Sequence, residues 1–296
     1  MWQKSKAYLY LAPTIGVLSL LFYGGFLQGL VQSFGYLPVL GQKTLSIQTY
    51  QSLFKSSDFW QSIVLTFKIA FLSSLLAGVI GLFISLCLFL LMENNKKGKL
   101  LSLSESIFKL PLLIPHIVAA YLMVLLFMQS GWISSIAAAI GIIDQAAEFP
   151  ILINETFGWG IIITYAWKEA PFVSLMLVPI LARLHQSWRD VSKVFGATTY
   201  IYLKEIVIPL LLPTWIAATF IVFAFTFSSF EIPYLLGVTY PVTLPVYAFT
   251  VFTSGGLEGR PEALAVNVIL VLVTALLGLL AYKLSKRWNI GERERW

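Results

Sequence analysis

Cysteine is almost absent from this chain: Cys87 stands alone inside an apolar run, which excludes a disulfide framework and a cysteine-built metal site. Histidine is nearly as rare, with His116 and His185 only. There is no Gly-x-x-x-x-Gly-Lys-Ser/Thr phosphate loop and no His-Glu-x-x-His, so neither ATP hydrolysis nor a histidine-built metal centre is expected here. Charge is also scarce. Only 11% of the 296 residues are charged, too few to coat a soluble domain.

What fills the chain is apolar. Hydrophobic residues make up 58%, and the mean hydropathy is +0.83, which places the protein among polytopic membrane proteins in the lipid bilayer. The net charge of +6 is spread over short loops and a tail in the manner of topology signals, so nucleic-acid binding is not expected.

Hydrophobic length predicts an all-α protein with six transmembrane helices, at about 7–31, 62–91, 107–128, 157–181, 214–236 and 261–284. Four regions follow. Residues 1–34 hold a cytoplasmic tip and the first helix, 35–61 an external segment, 62–284 a five-helix core including a loop at 183–213, and 285–296 a cytoplasmic tail. The first apolar block resembles a signal peptide in outline but is too long and lacks a small-residue cleavage site, so it is read as an uncleaved span. Its Gly25 and Gly29 form a GxxxG, by itself a weak sign of helix contact. The apolar stretch 133–143 is expected at the membrane interface, as are Trp60, Trp132, Trp159 and Trp288.

Charge asymmetry orients the spans. With both termini and the loops after spans two and four inside, the inner side carries Lys4, Lys6, Lys96, Lys97, Lys99, Lys109, Arg183, Arg189, Lys193, Lys204, Lys283, Lys286, Arg287, Arg293 and Arg295. The outer side carries only Lys43, Lys55 and Arg260.

The loop 183–213 is the one long polar-bearing stretch with helical order between two apolar blocks. Ser187 is expected to cap a short helix, with Asp190 three residues on and Gly196 as its stop. Thr199 is expected to cap a second, ended by Pro209. In the first, Trp188, Val191, Val194 and Phe195 share one stripe, with Arg189, Asp190 and Lys193 off it. An apolar stripe outside the membrane needs a cover. An amphipathic helix lying on lipid is the alternative, but such helices are usually richer in Lys and Arg.

This loop resembles the signature loop of the inner-membrane permease subunits of type I binding-protein-dependent ABC importers, a Glu-Ala-Ala followed by a spaced Gly and two prolines. Asp190, Val191 and Ser192 stand at the first three positions, then Gly196, Ile208-Pro209 and Pro213; the spacing is kept, the first three letters are not. Pro111-Leu-Leu-Ile-Pro115, Trp167, Pro171-Phe172, Glu231 to Gly237, Thr243-Leu-Pro-Val and Arg260-Pro-Glu-Ala are similar to the branch that moves polyamines, phosphonates, thiamine, ferric iron, sulfate or molybdate. The resemblance implies a fold in which spans two to six form a core and span one wraps a second permease, a different chain. It implies that Trp188, Asp190, Val191, Ser192, Val194, Phe195, Gly196 and Pro209 form a coupling element seated on a cytoplasmic ATPase dimer, which binds the ATP and Mg. An external solute-binding protein would deliver the solute. The chain would thus be a transport subunit without catalysis or cofactor of its own. An ion- or proton-coupled secondary transporter is the alternative, but it predicts inverted repeats that the sequence does not display. A membrane-embedded enzyme lacks a constellation of residues.

Among the ionisable residues within the spans, Lys68, His116, Lys168, Glu169 and Glu231 mark candidate positions on the path. His116 reads first as a hydrogen-bonded packing residue, and His185 as solvated. Pro111 and Pro115 should break span three where neighbours can satisfy the freed carbonyls. Lys168 and Glu169, adjacent on a helix, point about 100° apart and need separate partners. At about 1.5 Å per residue, Lys68 and Glu231 lie at similar depths of roughly 9 and 8 Å, so Lys68 is the expected first partner of Glu231 and Lys168 the second.

Overall fold

The computed structural model describes residues 2–93 and 108–293, with side chains for 10–91, 108–184, 188–281 and 283. The basic loop with Lys96, Lys97 and Lys99, and the side chains of Lys4, Lys6, His185, Ser187, Lys286, Arg287, Trp288 and Arg293, together with Arg295, lie outside the described residues. Twelve helices are labelled here: α1 Trp2–Ser33, α2 Gln48–Lys55, α3 Ser57–Glu93, α4 His116–Phe127, α5 Trp132–Ala139, α6 Trp159–Ser187, α7 Arg189–Val194, α8 Thr199–Tyr202, α9 Ile208–Ser228, α10 Glu231–Leu236, α11 Leu244–Ser254 and α12 Arg260–Arg293. Among the described residues the only extended pairing is an isolated bridge between Leu37 and Gln42.

Among the described residues, six stretches are long and apolar enough to cross a membrane: Tyr10–Ser33, Ser57–Leu91, His116–Ala139, Trp159–Leu184, Thr199–Ser228 and Arg260–Ala281. Two differ from the sequence expectation. Span three is broken at Ile114 and Pro115, between a helical stretch at 108–113 and α4, and the apolar length is completed by α5. Span five begins earlier and ends at Ser228, because Ser229 turns to extended backbone; the segment with Glu231 is the separate helix α10.

The chain divides into two compact units. The first comprises Met1–Gln61 and Leu244–Val273. Its 35–47 stretch turns on Gly35 and Gly41, both in the left-handed region that glycine enters without a Cβ penalty. The stretch is tied back by Ser33 Oγ to Tyr50 OH at 2.7 Å and by the Phe34 and Tyr50 rings at 5.0 Å. Gly29 of α1 meets Leu264 of α12, while Gly25 meets nothing, so the GxxxG makes one contact in this unit. The unit also carries a polar hollow of about 570 Å³ lined by Gln42, Lys43, Thr49, Glu258 and Glu262 among others.

The second unit comprises Ser62–Thr243 and Thr274–Trp296. Small residues set its helix spacing. A Cβ at Gly81 of α3 would lie 2.7 Å from the Ala170 carbonyl oxygen of α6, and one at Gly78 would lie 2.6 Å from Thr219 Oγ1 of α9. These two glycines, three residues apart and so about 60° from each other around α3, let α6 and α9 approach closely, the usual device where lipid removes the hydrophobic drive between helices. Trp215 Nε1 then donates to the Gly78 carbonyl at 2.8 Å, and Ser85 Oγ to Ser174 Oγ at 2.9 Å. Two apolar clusters form the core: one around Phe89, Leu177, Leu184, Tyr202 and Leu211, the other around Ile69, Ala120, Ile162, Tyr165, Ile232 and Leu236.

Candidate functional site

Proline chemistry explains the polar cluster of the second unit. Pro115 has no N–H, so the Pro111 carbonyl loses the donor that an unbroken helix would supply four residues later. Lys168 of α6 replaces it, donating to Pro111 O at 3.0 Å and to Ile114 O at 2.7 Å. At 3% exposure the ammonium is held by the broken helix itself. Glu169 has its own partner: its Oε1 lies 2.9 Å from His116 Nε2, with the side chains 12% and 29% exposed, and the imidazole packs on Phe225 at 4.8 Å.

The expected pairing of Glu231 with Lys68 or Lys168 is not made. Glu231 opens α10 and accepts from Ser229 Oγ at 3.3 Å. Lys68 sits over the Phe157 ring at 4.4 Å, within electrostatic reach of Glu155. The depth argument failed because it took 214–236 as one continuous helix. The Tyr165 hydroxyl is buried beside these groups, within reach of Ser229 and of the Glu231 and Glu169 charges. It carries no signal in the sequence.

Glu155 precedes α6 and lies outside its span. Burial alone would raise its carboxyl's pKa, but backbone N–H groups of Phe157, Trp159 and Gly158 together outweigh that and hold it below its ordinary value. This is a helix N-terminus satisfied by a carboxylate.

The loop after α6 differs from expectation in its caps. Ser187 closes α6, and Trp188 is the N-cap of α7, without a side-chain hydrogen bond. Thr198, not Thr199, caps α8 by accepting from Ile201 N at 3.4 Å. Pro209 ends nothing: a π-helical turn, Leu203–Val207, runs directly into α9, and the wider turn just before the proline accommodates its missing N–H. Gly196 is the stop of α7, with φ 76°, its N–H bonded to Lys193 O at 2.9 Å and Ala197 N to Ser192 O at 3.0 Å, a left-handed helix end.

Trp188, Val191, Val194 and Phe195 form an exposed apolar face, with Val194 84% and Phe195 85% exposed. Asp190 and Pro209 are also exposed. Ser192 turns inward and donates to the Arg189 carbonyl at 2.7 Å. Arg189 itself is buried, at 6% exposure. Sequence spacing placed it off the stripe but gave no sign that its guanidinium is covered.

Known proteins are similar to this chain in sequence and in fold. The family model described as the binding-protein-dependent transport system inner membrane component matches residues 77–290. The chain is 22% identical over 290 residues to the probable starch degradation products transport system permease protein AmyD of Thermoanaerobacterium thermosulfurigenes, covering 96% of this chain and 94% of that one. It is 24% identical to the glucose import system permease protein GlcT of Saccharolobus solfataricus, over 96% and 98% of the two chains. The molybdenum transport system permease protein ModB of Escherichia coli is 22% identical over 77% of this chain and 95% of its own. Relatives therefore extend beyond the solute branch suggested by the motifs. The fold matches that of a chain of a bacterial ABC transporter for the acidic polysaccharide alginate, with a TM-score of 0.77, 20% identity, and coverage of 97% and 98%. With its exposed loop face, broken third span and a family match over most of its length, this chain is a membrane-spanning permease subunit of the binding-protein-dependent ABC importers, a member of the binding-protein-dependent transport system inner membrane component family.

Proposed function

We propose that the chain supplies half of the path by which an ATP-driven importer takes up a neutral sugar or short oligosaccharide. The observation that carries the ATP-driven reading is the apolar face of Trp188, Val191, Val194 and Phe195, exposed on the loop after α6. A face of this kind needs a protein cover, and a groove on a cytoplasmic ATPase provides it. The ATPase, a dimer, holds the ATP and Mg and performs the hydrolysis, while a second permease of different sequence supplies the other half of the path. Both termini and the docking loop lie in the cytoplasm of the bacterial cell, on the side favoured by the basic residues. An external binding protein delivers the solute, and the polar hollow around Gln42, Thr49 and Glu258 suits a hydrated protein contact.

The neutral-solute reading rests on how the intramembrane charges are used. Lys168 is taken up by two carbonyls and Lys68 by the Phe157 face, with Glu169 held by His116, so neither lysine stands ready for an anionic solute. Phenyl rings are plentiful instead, including Phe67, Phe223 and Phe227 at centroid distances of 4.8 to 6.2 Å. The AmyD and GlcT relatives, named for starch products and glucose, match nearly the whole chain, which supports the same reading. The test is uptake by proteoliposomes holding the complete complex, with maltotriose and glucose set against sulfate, molybdate and 2-aminoethylphosphonate. Sugar uptake driven by ATP is expected; uptake of an oxyanion and not of sugar would overturn the solute assignment while leaving the importer reading in place.

A further inference from the structure

The docking helix is not joined to the bundle by a plain loop. The Arg189 guanidinium lies 5.2 Å from the centre of the Tyr202 ring and donates to Thr199 Oγ1 at 3.3 Å, so α7 is fastened sideways to α8 across the Gly196 turn. Tyr202, 1% exposed, reaches further: its hydroxyl donates to the Leu184 carbonyl at 3.2 Å, in the last turns of α6. That carbonyl also receives Trp188 N–H at 3.1 Å. The Tyr202 ring stacks on Phe89 of α3 at 6.3 Å and 27°. Both side chains belong to the apolar cluster that joins α3, α6 and α9. Six residues of helix are too short to hold their own orientation, and the clamp supplies it.

We propose that Arg189 and Tyr202 are positioning residues that make the docking helix and the end of α6 one rigid body, so that displacement of α7 reaches the helix carrying Lys168 and Glu169 instead of being absorbed at Gly196. This rests on the reading of α7 as the ATPase-docking helix. Arginine chemistry suits such a clamp, because a guanidinium over a ring combines electrostatic attraction to the π face with planar stacking, and burial strengthens both. A lysine would keep the charge and lose the plane.

The test is a distance measurement on the complete complex, independent of any solute. Spin labels at Lys193→Cys and Met176→Cys, in a Cys87→Ser background, report α7 against α6. In the otherwise native protein one narrow distance is expected, the same without nucleotide and after trapping with ATP and vanadate. Arg189→Ala should still co-purify with the ATPase but give a broadened distance that differs between the two states. Tyr202→Phe keeps the ring and removes only the Leu184 link, and it should show the change after trapping. If Arg189→Ala does not insert, Tyr202→Phe decides alone. Native-like narrow distances in the variants, or a native distance that itself changes on trapping, would overturn the clamp. Absence of the ATPase from the purified native complex would instead overturn the docking reading on which it rests.

Discussion

Lys168 is the residue on which the broken third span depends. Replacing it by methionine keeps the length of the side chain and removes the ammonium, leaving the Ile114 carbonyl without this donor and the Pro111 carbonyl with only the long bond from Ile114 N at 3.3 Å. A buried polar group left without a partner costs about 1–3 kcal/mol, so Lys168→Met should lower the thermal unfolding temperature by several degrees in detergent. Glu231→Gln, which disturbs one contact with Ser229, should leave it nearly unchanged. Equal stability of the two variants would show that the break does not need the ammonium. Glu155 makes a prediction in pH. Its carboxyl titrates below the ordinary 4.5, so its contribution to capping α6 is present above that pH and is lost as the pH falls through the lower folded-state value. Glu155→Gln should cost about 1 kcal/mol at neutral pH. The gap in unfolding temperature between the variant and the native protein should close on acidification below 4.5. A gap constant from neutrality to strong acid would remove the carboxylate from the cap.

At the scale of elements, α7 is defined by its stop and its outer face. A Cβ at Gly196 meets open space, so the cost of Gly196→Val is backbone strain alone, about 1–2 kcal/mol for a left-handed residue. That is enough to redirect a six-residue helix without disturbing insertion. Gly196→Val should lose the ATPase on purification, and Gly196→Asn, a residue tolerated in this region, should keep it. Asp190→Ala should be the mildest change on the loop, since exposed ion pairs contribute at most about 1 kcal/mol. Truncation of Val191 or Phe195 removes apolar area worth about 1.5–3 kcal/mol each when covered. Co-purification ratios measured across these variants check the order; Asp190→Ala proving the most severe would place the contact's energy in charge and not in the stripe.

For the whole molecule the open question is orientation. With fifteen of the basic residues named above on one side, the docking loop should be sealed from the exterior of intact cells and the 35–47 stretch open to it. In a Cys87→Ser background, an impermeant maleimide should label Gln42→Cys in intact cells and Phe195→Cys only after lysis. The reverse pattern would invert the topology and detach the loop from any cytoplasmic ATPase.

Much of this was legible before folding, because hydrophobic length, loop charge and the spacing of Asp190, Gly196 and Pro209 are local properties. They suffice for the class, the six spans and the place of the exposed loop after span four. The 3.6-residue period likewise picked out the stripe of Val191, Val194 and Phe195. Partners across the bundle were another matter. Pro111 and Pro115 announced a break and free carbonyls, yet only the packing of α6 on that break shows that Lys168 satisfies them and so does not meet Glu231. Span five ends at Ser228, because Ser229 turns to extended backbone within an apolar stretch that resumes at Phe230 and Ile232. Arg189 reads in sequence like any cytoplasmic positive charge. It is buried because Tyr202, thirteen residues on, is brought beneath it by the Gly196 turn and anchored by Phe89 and Leu184, contacts that no local pattern encodes and that exist only once α3, α6 and α8 are packed.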